Sequence, residues 1–303
     1  MFDFVKNQKY FIAVSIILVL ASILSFIFWG FQYSVDFKGG SLLEFQLAQS
    51  KTVGEVSDLL KPVQLENLTL RTAENNHFIV TAKEISPASH QLILEKLGQP
   101  TEVRFVNIGP TISGELITKA WWSIILSVIA ILLYVVWAFN KITRIFGANE
   151  SWKWGAGAII ALLHDVLIMV GLFSILGHFS GLEVDSNFVT AILVVLGYSI
   201  NDTIVVYDRL REKILTSKNN DFALLVNQSL NETIVRSLNT TFTVLIAILA
   251  VFIFGGTSIH SFALAMLVGV TTGAWSSLFI ATPFLMFGRA STPSQKENPR
   301  IKK

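Results

Sequence analysis

Apolar positions in this chain gather into long unbroken runs, parted by short polar joints and by one extended stretch of a different rhythm. Runs fit to cross a bilayer lie at about 10–29, 119–139, 156–176, 187–207, 235–255 and 261–285, since a spanning helix takes roughly 20 apolar residues. The first run is too long for the apolar core of a signal peptide and lacks an A-x-A-like cleavage site, so it is expected to stay as a helix. Between the first and second runs the period changes. Residues 31–118 read as strand (Leu42–Leu47), helix (Val53–Leu60), strand (Leu68–Ala73), strand (Phe78–Ala82), helix (Ala88–Leu97) and strand (Glu102–Asn107). The strands alternate apolar and polar residues, as a sheet covered on one face requires. The order βαββαβ is that of a ferredoxin-like domain. No nucleophile–base pair and no paired carboxylates stand out in it, so binding or coupling is its expected work rather than catalysis.

The basic residues orient the spans. Residues 1–9 carry two Lys or Arg, 140–155 three, 208–234 four and the tail after 286 five, whereas 177–186 and 256–260 carry none. Lys and Arg collect on the cytoplasmic side, so both termini and both basic loops are expected there, with 31–118 outside. The expected organisation is therefore a cytoplasmic N-terminus and first helix (1–30), the outside domain (31–118), a five-helix membrane bundle (119–287) with cytoplasmic loops at 140–155 and 208–234, and a disordered basic cytoplasmic tail (288–303). Within the second loop, 221–230 reads as an interfacial amphipathic helix with Phe222, Leu225 and Val226 on its apolar stripe.

Composition narrows the chemistry. Of 303 residues, 52% are apolar and 15% charged, and there is no cysteine. Disulfides, thiol nucleophiles and Cys-ligated metals are thereby excluded. The five histidines show no metal-ligand spacing, and no phosphate-binding loop of the GxxxxGK[ST] type occurs. No cofactor, no nucleic acid partner and no enzymatic activity are expected.

What the spans should not contain is charge, and the fourth one does. From Asn187 to Ile200 there are only 14 residues, about 20 Å of helix against a core of roughly 30 Å. The span must therefore run on to about Tyr207, which leaves Asp202 inside the membrane. Such a group is costly and normally faces a bundle interior and acts there. Helical spacing puts Asn187, Ala191, Tyr198, Asn201 and Asp202 on one side, with Leu193, Leu196, Ile200 and Ile204 expected to face lipid. Asp165 lies near the middle of the third span with His164 before it. Neighbours on a helix point about 100° apart, so the two are not automatically a pair. Arg236 enters the fifth span at the depth of Asp202, followed by Asn239, Thr240, Thr241 and Thr243. An Asp202–Arg236 interaction is geometrically reasonable. A carboxylate removed from water favours protonation and an approaching guanidinium favours ionisation, so relative motion of the two would bind and release protons. Protons are then the expected coupling ion.

These residues resemble a known family. "VDFKGGSLLEF" (35–45) resembles the DFxGG signature of the SecD/SecF proteins of the bacterial Sec protein-export machinery. "HDV" (164–166), "GYSINDTIVVYDRLRE" (197–212) and "RSLNTTFT" (236–243) are similar to motifs of its SecF-type members. The resemblance implies one half of a resistance–nodulation–division architecture, with six spans and one ferredoxin-like outside domain. It implies a SecD-like partner subunit in a heterodimer, the Sec translocon channel and an exported preprotein as further partners, and a place in the bacterial plasma (inner) membrane. It also implies coupling of the proton-motive force to late export, with Asp202 and Arg236 as proton-relay residues. Asp165, Asn201, Tyr198, His164 and Asn239 stand as candidate relay or supporting polar groups. Gly39 and Gly40 stand as a candidate hinge after the first helix, although an ordinary tight turn suits them equally.

Other readings remain open at this level. One is half of a small-molecule exporter of the same superfamily; another is a non-transporting assembly factor in which the buried charges serve as glue. An intramembrane aspartyl protease would need Asp165 and Asp202 to face each other.

Overall fold

The computed structural model describes residues 2–73, 76–147, 149–217 and 221–287. The expected basic tail at 288–303 lies outside the described residues. Helix α1 (Phe4–Trp29) opens on Asp3, whose carboxylate accepts the Lys6 backbone N–H and so meets one of the free donors of a helix start. One-turn helix α2 (Val35–Lys38) leads into β1 (Gly40–Gln46), α3 (Val53–Leu60), β2 (Thr69–Ala73), β3 (His77–Ala82), α4 (Pro87–Lys96) and β4 (Thr101–Ile108). Then come α5 (Pro110–Ala138), short α6 (Thr143–Phe146), α7 (Glu150–Ser180), α8 (Ser186–Thr216), α9 (Phe222–Phe254) and α10 (Thr257–Ser276). A π-helical turn (Ser277–Ala281) joins α10 to α11 (Thr282–Phe284).

Among the described residues, six helical stretches are long and apolar enough to cross a membrane, beginning at Phe4, Pro110, Glu150, Ser186, Phe222 and Ser258. With the small antiparallel sheet, this is the expected fold class. The chain is a multi-pass membrane protein. Most spans run longer than their apolar runs. The basic stretch 208–234, expected as a loop, is helical at 208–216 and again from Phe222, and the interfacial helix expected at 221–230 is the start of α9 itself. No Gly or Pro interrupts either segment, so the helical hydrogen-bond ladder continues past the apolar run. Glu232 of α9 pairs with both Arg209 and Lys213 of α8, tying these extensions together.

Two compact units divide the chain, and the split does not follow the sequence order. One holds Gln32–Trp122 together with Glu183–Ser186, the short connection between α7 and α8. Its sheet has the order β2-β3-β1-β4, antiparallel throughout. Leu43, Phe45, Phe78 and Val80 face α3 and α4, where Val56, Leu60 and Ile93 complete a core. Thr52 and Glu55 form a reciprocal capping box that starts α3.

The other unit is helical. Its helices approach closely where side chains are small: a Cβ on Gly273 of α10 would lie 2.9 Å from Ser199 Cβ of α8. Small residues at such crossings let backbones pack without a solvent-driven force. Tyr207 sits fully buried, its hydroxyl donating to Ala281 O at 3.0 Å, with Phe139 and Trp154 against its ring.

Candidate functional site

Helix α8 buries Phe188, Ala191, Ile192, Val195, Leu196, Ser199, Ile200, Asp202, Thr203 and Val206. The lipid-facing side expected from spacing is therefore displaced: Leu196 and Ile200 are core residues, whereas Val194, Gly197 and Asn201 are exposed. The polar residues misled the assignment, because one polar group packs inward and its neighbour looks outward. Asp202 is 4% exposed, and its Oδ2 accepts from Thr241 Oγ1 of α9 at 3.4 Å. Asn201, one position earlier, is open at the chain's surface.

Helix α9 divides its polar residues the same way. Thr233, Ser237 and Thr241 are buried, while Arg236, Asn239, Thr240 and Thr243 are exposed. The exposed hydroxyls fold back on their own helix, Thr240 Oγ1 donating to Arg236 O at 3.1 Å and Thr243 Oγ1 to Thr240 O at 2.8 Å. Arg236 makes no ion pair with Asp202 among the described residues. Tyr198 is half-buried beside Thr240 and Thr241, with its hydroxyl buried and lacking a well-aligned partner. The carboxylate, the cation and the polar cluster thus share one region of α8 and α9, with the cation side open.

Asp165 belongs to a separate cluster. It is fully buried; its Oδ2 accepts from Ser199 Oγ at 2.7 Å and Ser276 Oγ at 2.8 Å, and Oδ1 lies 3.0 Å from His164 Nδ1. The two neighbours on α7 pair after all, because the imidazole swings around the helix to reach the carboxylate. Among the described residues Asp165 and Asp202 bond to different groups rather than to each other, unlike the facing dyad of an aspartyl protease.

In the outside unit, the DFxGG segment is a folded joint. Gly39 caps α2 at φ 73°, and Gly40 begins β1 at φ 127°. A Cβ on Gly40 would meet Ala82 O at 2.8 Å, so both backbone angle and space demand glycine. The aspartate of the motif does more than sequence reasoning assigned to it. Asp36 is 5% exposed, and its Oδ2 accepts the Ser186 backbone N–H at 2.9 Å and the Ser186 hydroxyl. Backbone bonds Ser34 N to Val184 O (3.0 Å) and Val184 N to Gln32 O (2.7 Å) stitch the same two segments. Of the groups missed from sequence, Thr241 stood in a quoted motif, and Asp36 was the motif's only acid. Ser199 and Ser276 carried no signal beyond being polar in apolar runs.

The family model described as protein export membrane protein SecD/SecF, C-terminal, matches residues 90–290, and the SecD/SecF GG motif model matches 24–51. The chain is 35% identical over 302 residues to the protein translocase subunit SecF of Thermobaculum terrenum, covering 94% of this chain and 93% of that one. It is 32% identical over 318 residues to the protein translocase subunit SecF of Synechocystis sp., covering 98% and 97%. Among solved structures it is similar to SecDF, a translocon-associated membrane protein from Thermus thermophilus, with a TM-score of 0.81 at 30% identity over 94% of this chain. A super-membrane-facing form of SecDF gives 0.66 at the same identity and coverage. The chain spans 38% of the length of either SecDF chain.

Proposed function

We propose, on the premise that this chain belongs to the SecD/SecF family of protein export membrane proteins, that it acts as a SecF-type translocase subunit which pairs with a SecD-like subunit and couples the proton-motive force to export. Its curated relatives are named as translocase subunits, a transport role rather than an enzymatic one. The observation that carries the finer reading is the polar region of α8 and α9. Asp202 is buried there, while Asn201, Arg236 and Asn239 stand exposed within candidate spans. Against lipid, unsatisfied polar groups cost several kcal/mol each. Membrane helices of a partner, offering acceptors to Arg236, relieve that cost. The greater length of SecDF, of which this chain matches 38%, supports a second half of similar kind.

In this reading the partner's helices close over Arg236 and complete the site around Asp202. A proton taken up by the carboxylate cancels its charge and its attraction for the guanidinium; release restores both. The two states differ in how α8 and α9 pack. One charge crossing about 100 mV is worth roughly 2.3 kcal/mol, enough to bias such an equilibrium about fiftyfold. By the Lys and Arg count both termini face the cytoplasm of a bacterial cell. The outside domain then meets preprotein emerging from the translocon channel.

The test is export of a reporter preprotein into inverted membrane vesicles with an imposed proton gradient. Asp202→Asn is expected to remove the gradient-dependent part of export while the subunit still assembles. Full gradient dependence in that variant would sink the coupling and leave the buried charges as glue.

A further inference from the structure

Asp165 has no role in the relay just described, and its surroundings differ in kind from those of Asp202. It lies wholly inside the helical unit, held by hydroxyls from two other helices, Ser199 of α8 and Ser276 of α10. Its third neighbour, His164, is 5% exposed, with Nδ1 on the carboxylate and Nε2 buried without a hydrogen-bond partner. His164 also lines an open groove of about 410 Å³ between α1, α7 and the segment from Ile280 to Phe287, with Ile16, Leu20 and Leu163 exposed along it. The other walls are aliphatic or aromatic apart from Ser15, whose hydroxyl accepts from Trp275 Nε1 at 2.9 Å. A carboxylate only accepts, so an ionised Asp165 keeps the imidazole proton on Nδ1 and leaves Nε2 as a bare acceptor. The imidazole thus stands between the groove and the carboxylate, whose other partners among the described residues are the Ser199 and Ser276 hydroxyls.

We propose that His164 and Asp165 form a second proton-binding site, loaded from the side of the α1–α7 groove and communicated to α8 through Ser199, one helical turn before Asp202. The proposal rests on the proton-coupled reading above. A proton arriving at Nε2, with the Nδ1 proton passed to Asp165 Oδ1, leaves a neutral imidazole protonated on Nε2 and a neutral carboxyl. One proton enters, none leaves, and no bond between heavy atoms changes. The hydroxyls of Ser199 and Ser276 then donate to a neutral acceptor, and hydrogen bonds to a charged acceptor are the stronger kind. Loading therefore loosens the joint that holds α8 and α10 to α7. Among the described residues no other titratable group on the helices packed around α7 bonds to this pair. Lys6, Lys9 and Tyr10 lie in the first turns of α1; Asp202, Tyr198 and Tyr207 on α8 have the surroundings already given; His260 of α10 stacks on Phe252.

Infrared pH-difference spectroscopy on the full chain in lipid nanodiscs, with isotope-labelled aspartate, reads protonated carboxyl groups directly. Two buried-carboxyl bands are expected, one lost in Asp165→Asn and the other in Asp202→Asn. His164→Gln is expected to retain the Asp165 band but to slow its appearance after a pH jump by roughly a hundredfold, the low end of what a positioned acid–base group supplies. Ser199→Ala is expected to shift the band. An Asp165→Asn spectrum identical to the parent's overturns the second site and leaves the Asp202 relay standing; an Asp202→Asn spectrum identical to the parent's, with a band still lost in Asp165→Asn, does the reverse. Where Asp165→Asn fails to fold, unchanged band position and rate in both His164→Gln and Ser199→Ala overturn the proposal.

Discussion

Asp202 receives one hydrogen bond among the described residues, from Thr241 at 3.4 Å, and that long contact decides what its replacement does. Asn at this position keeps the shape and an oxygen for Thr241 but cannot ionise, so folding should survive where proton coupling does not. Thr241→Val is expected to cost about 1 kcal/mol, the worth of a single hydrogen bond, measured as a fall in thermal stability in detergent with gradient-dependent export weakened. Gly40 is the opposite case, where shape is everything. Gly40→Ala places a Cβ 2.8 Å from Ala82 O at φ 127° and should cost about 1–3 kcal/mol, read as a lower unfolding midpoint of the outside unit. The intramembrane aspartate was legible in the sequence because the span is too short without it. Its partner was not, since nothing in "NTTFT" tells which threonine turns inward.

At the scale of elements, the α7–α8 connection is the instructive one. Only five residues separate Ser180 from Ser186, yet Glu183–Ser186 belong to the outside unit. Asp36 and the backbone of Gln32–Ser34 hold them there. Asp36→Ala removes a buried charged acceptor from two donors, each such bond being worth about 1.5–3 kcal/mol. Faster hydrogen exchange at Val184 and Ser186 is the expected result, with α3 and α4 unaffected. Glu183 in the same connection pairs with Arg71 at 2.9 Å. Burial nevertheless holds its carboxyl above the usual glutamate range, against the pull of Arg71 and Lys38. A raised value means that its contribution to stability is fully present below the ordinary glutamate pKa and is lost as pH rises through the raised one. The outside unit should thus unfold slightly more easily at neutral than at mildly acid pH, and Glu183→Gln should flatten that slope in a thermal melt.

For the whole molecule, the proposed pairing makes a partner's helices cover the exposed Asn201, Arg236 and Asn239. Co-expression with a SecD-like subunit should yield a stable complex on purification, whereas Arg236→Leu should weaken association; equal yields with and without the partner would remove the heterodimer. The sequence by itself determined the six candidate spans and the βαββαβ order, because each depends on local quantities: run length, period and rise per residue. Family motifs were legible for the same reason. Tertiary structure alone decided which face of α8 is buried, that His164 reaches Asp165, that Ser199 and Ser276 converge on it, and that Asp36 holds Ser186. These contacts join residues up to 150 positions apart. Inside a membrane nearly every side chain is apolar, so hydrophobicity no longer distinguishes the inward face from the outward one, and only the close packing of particular helices does.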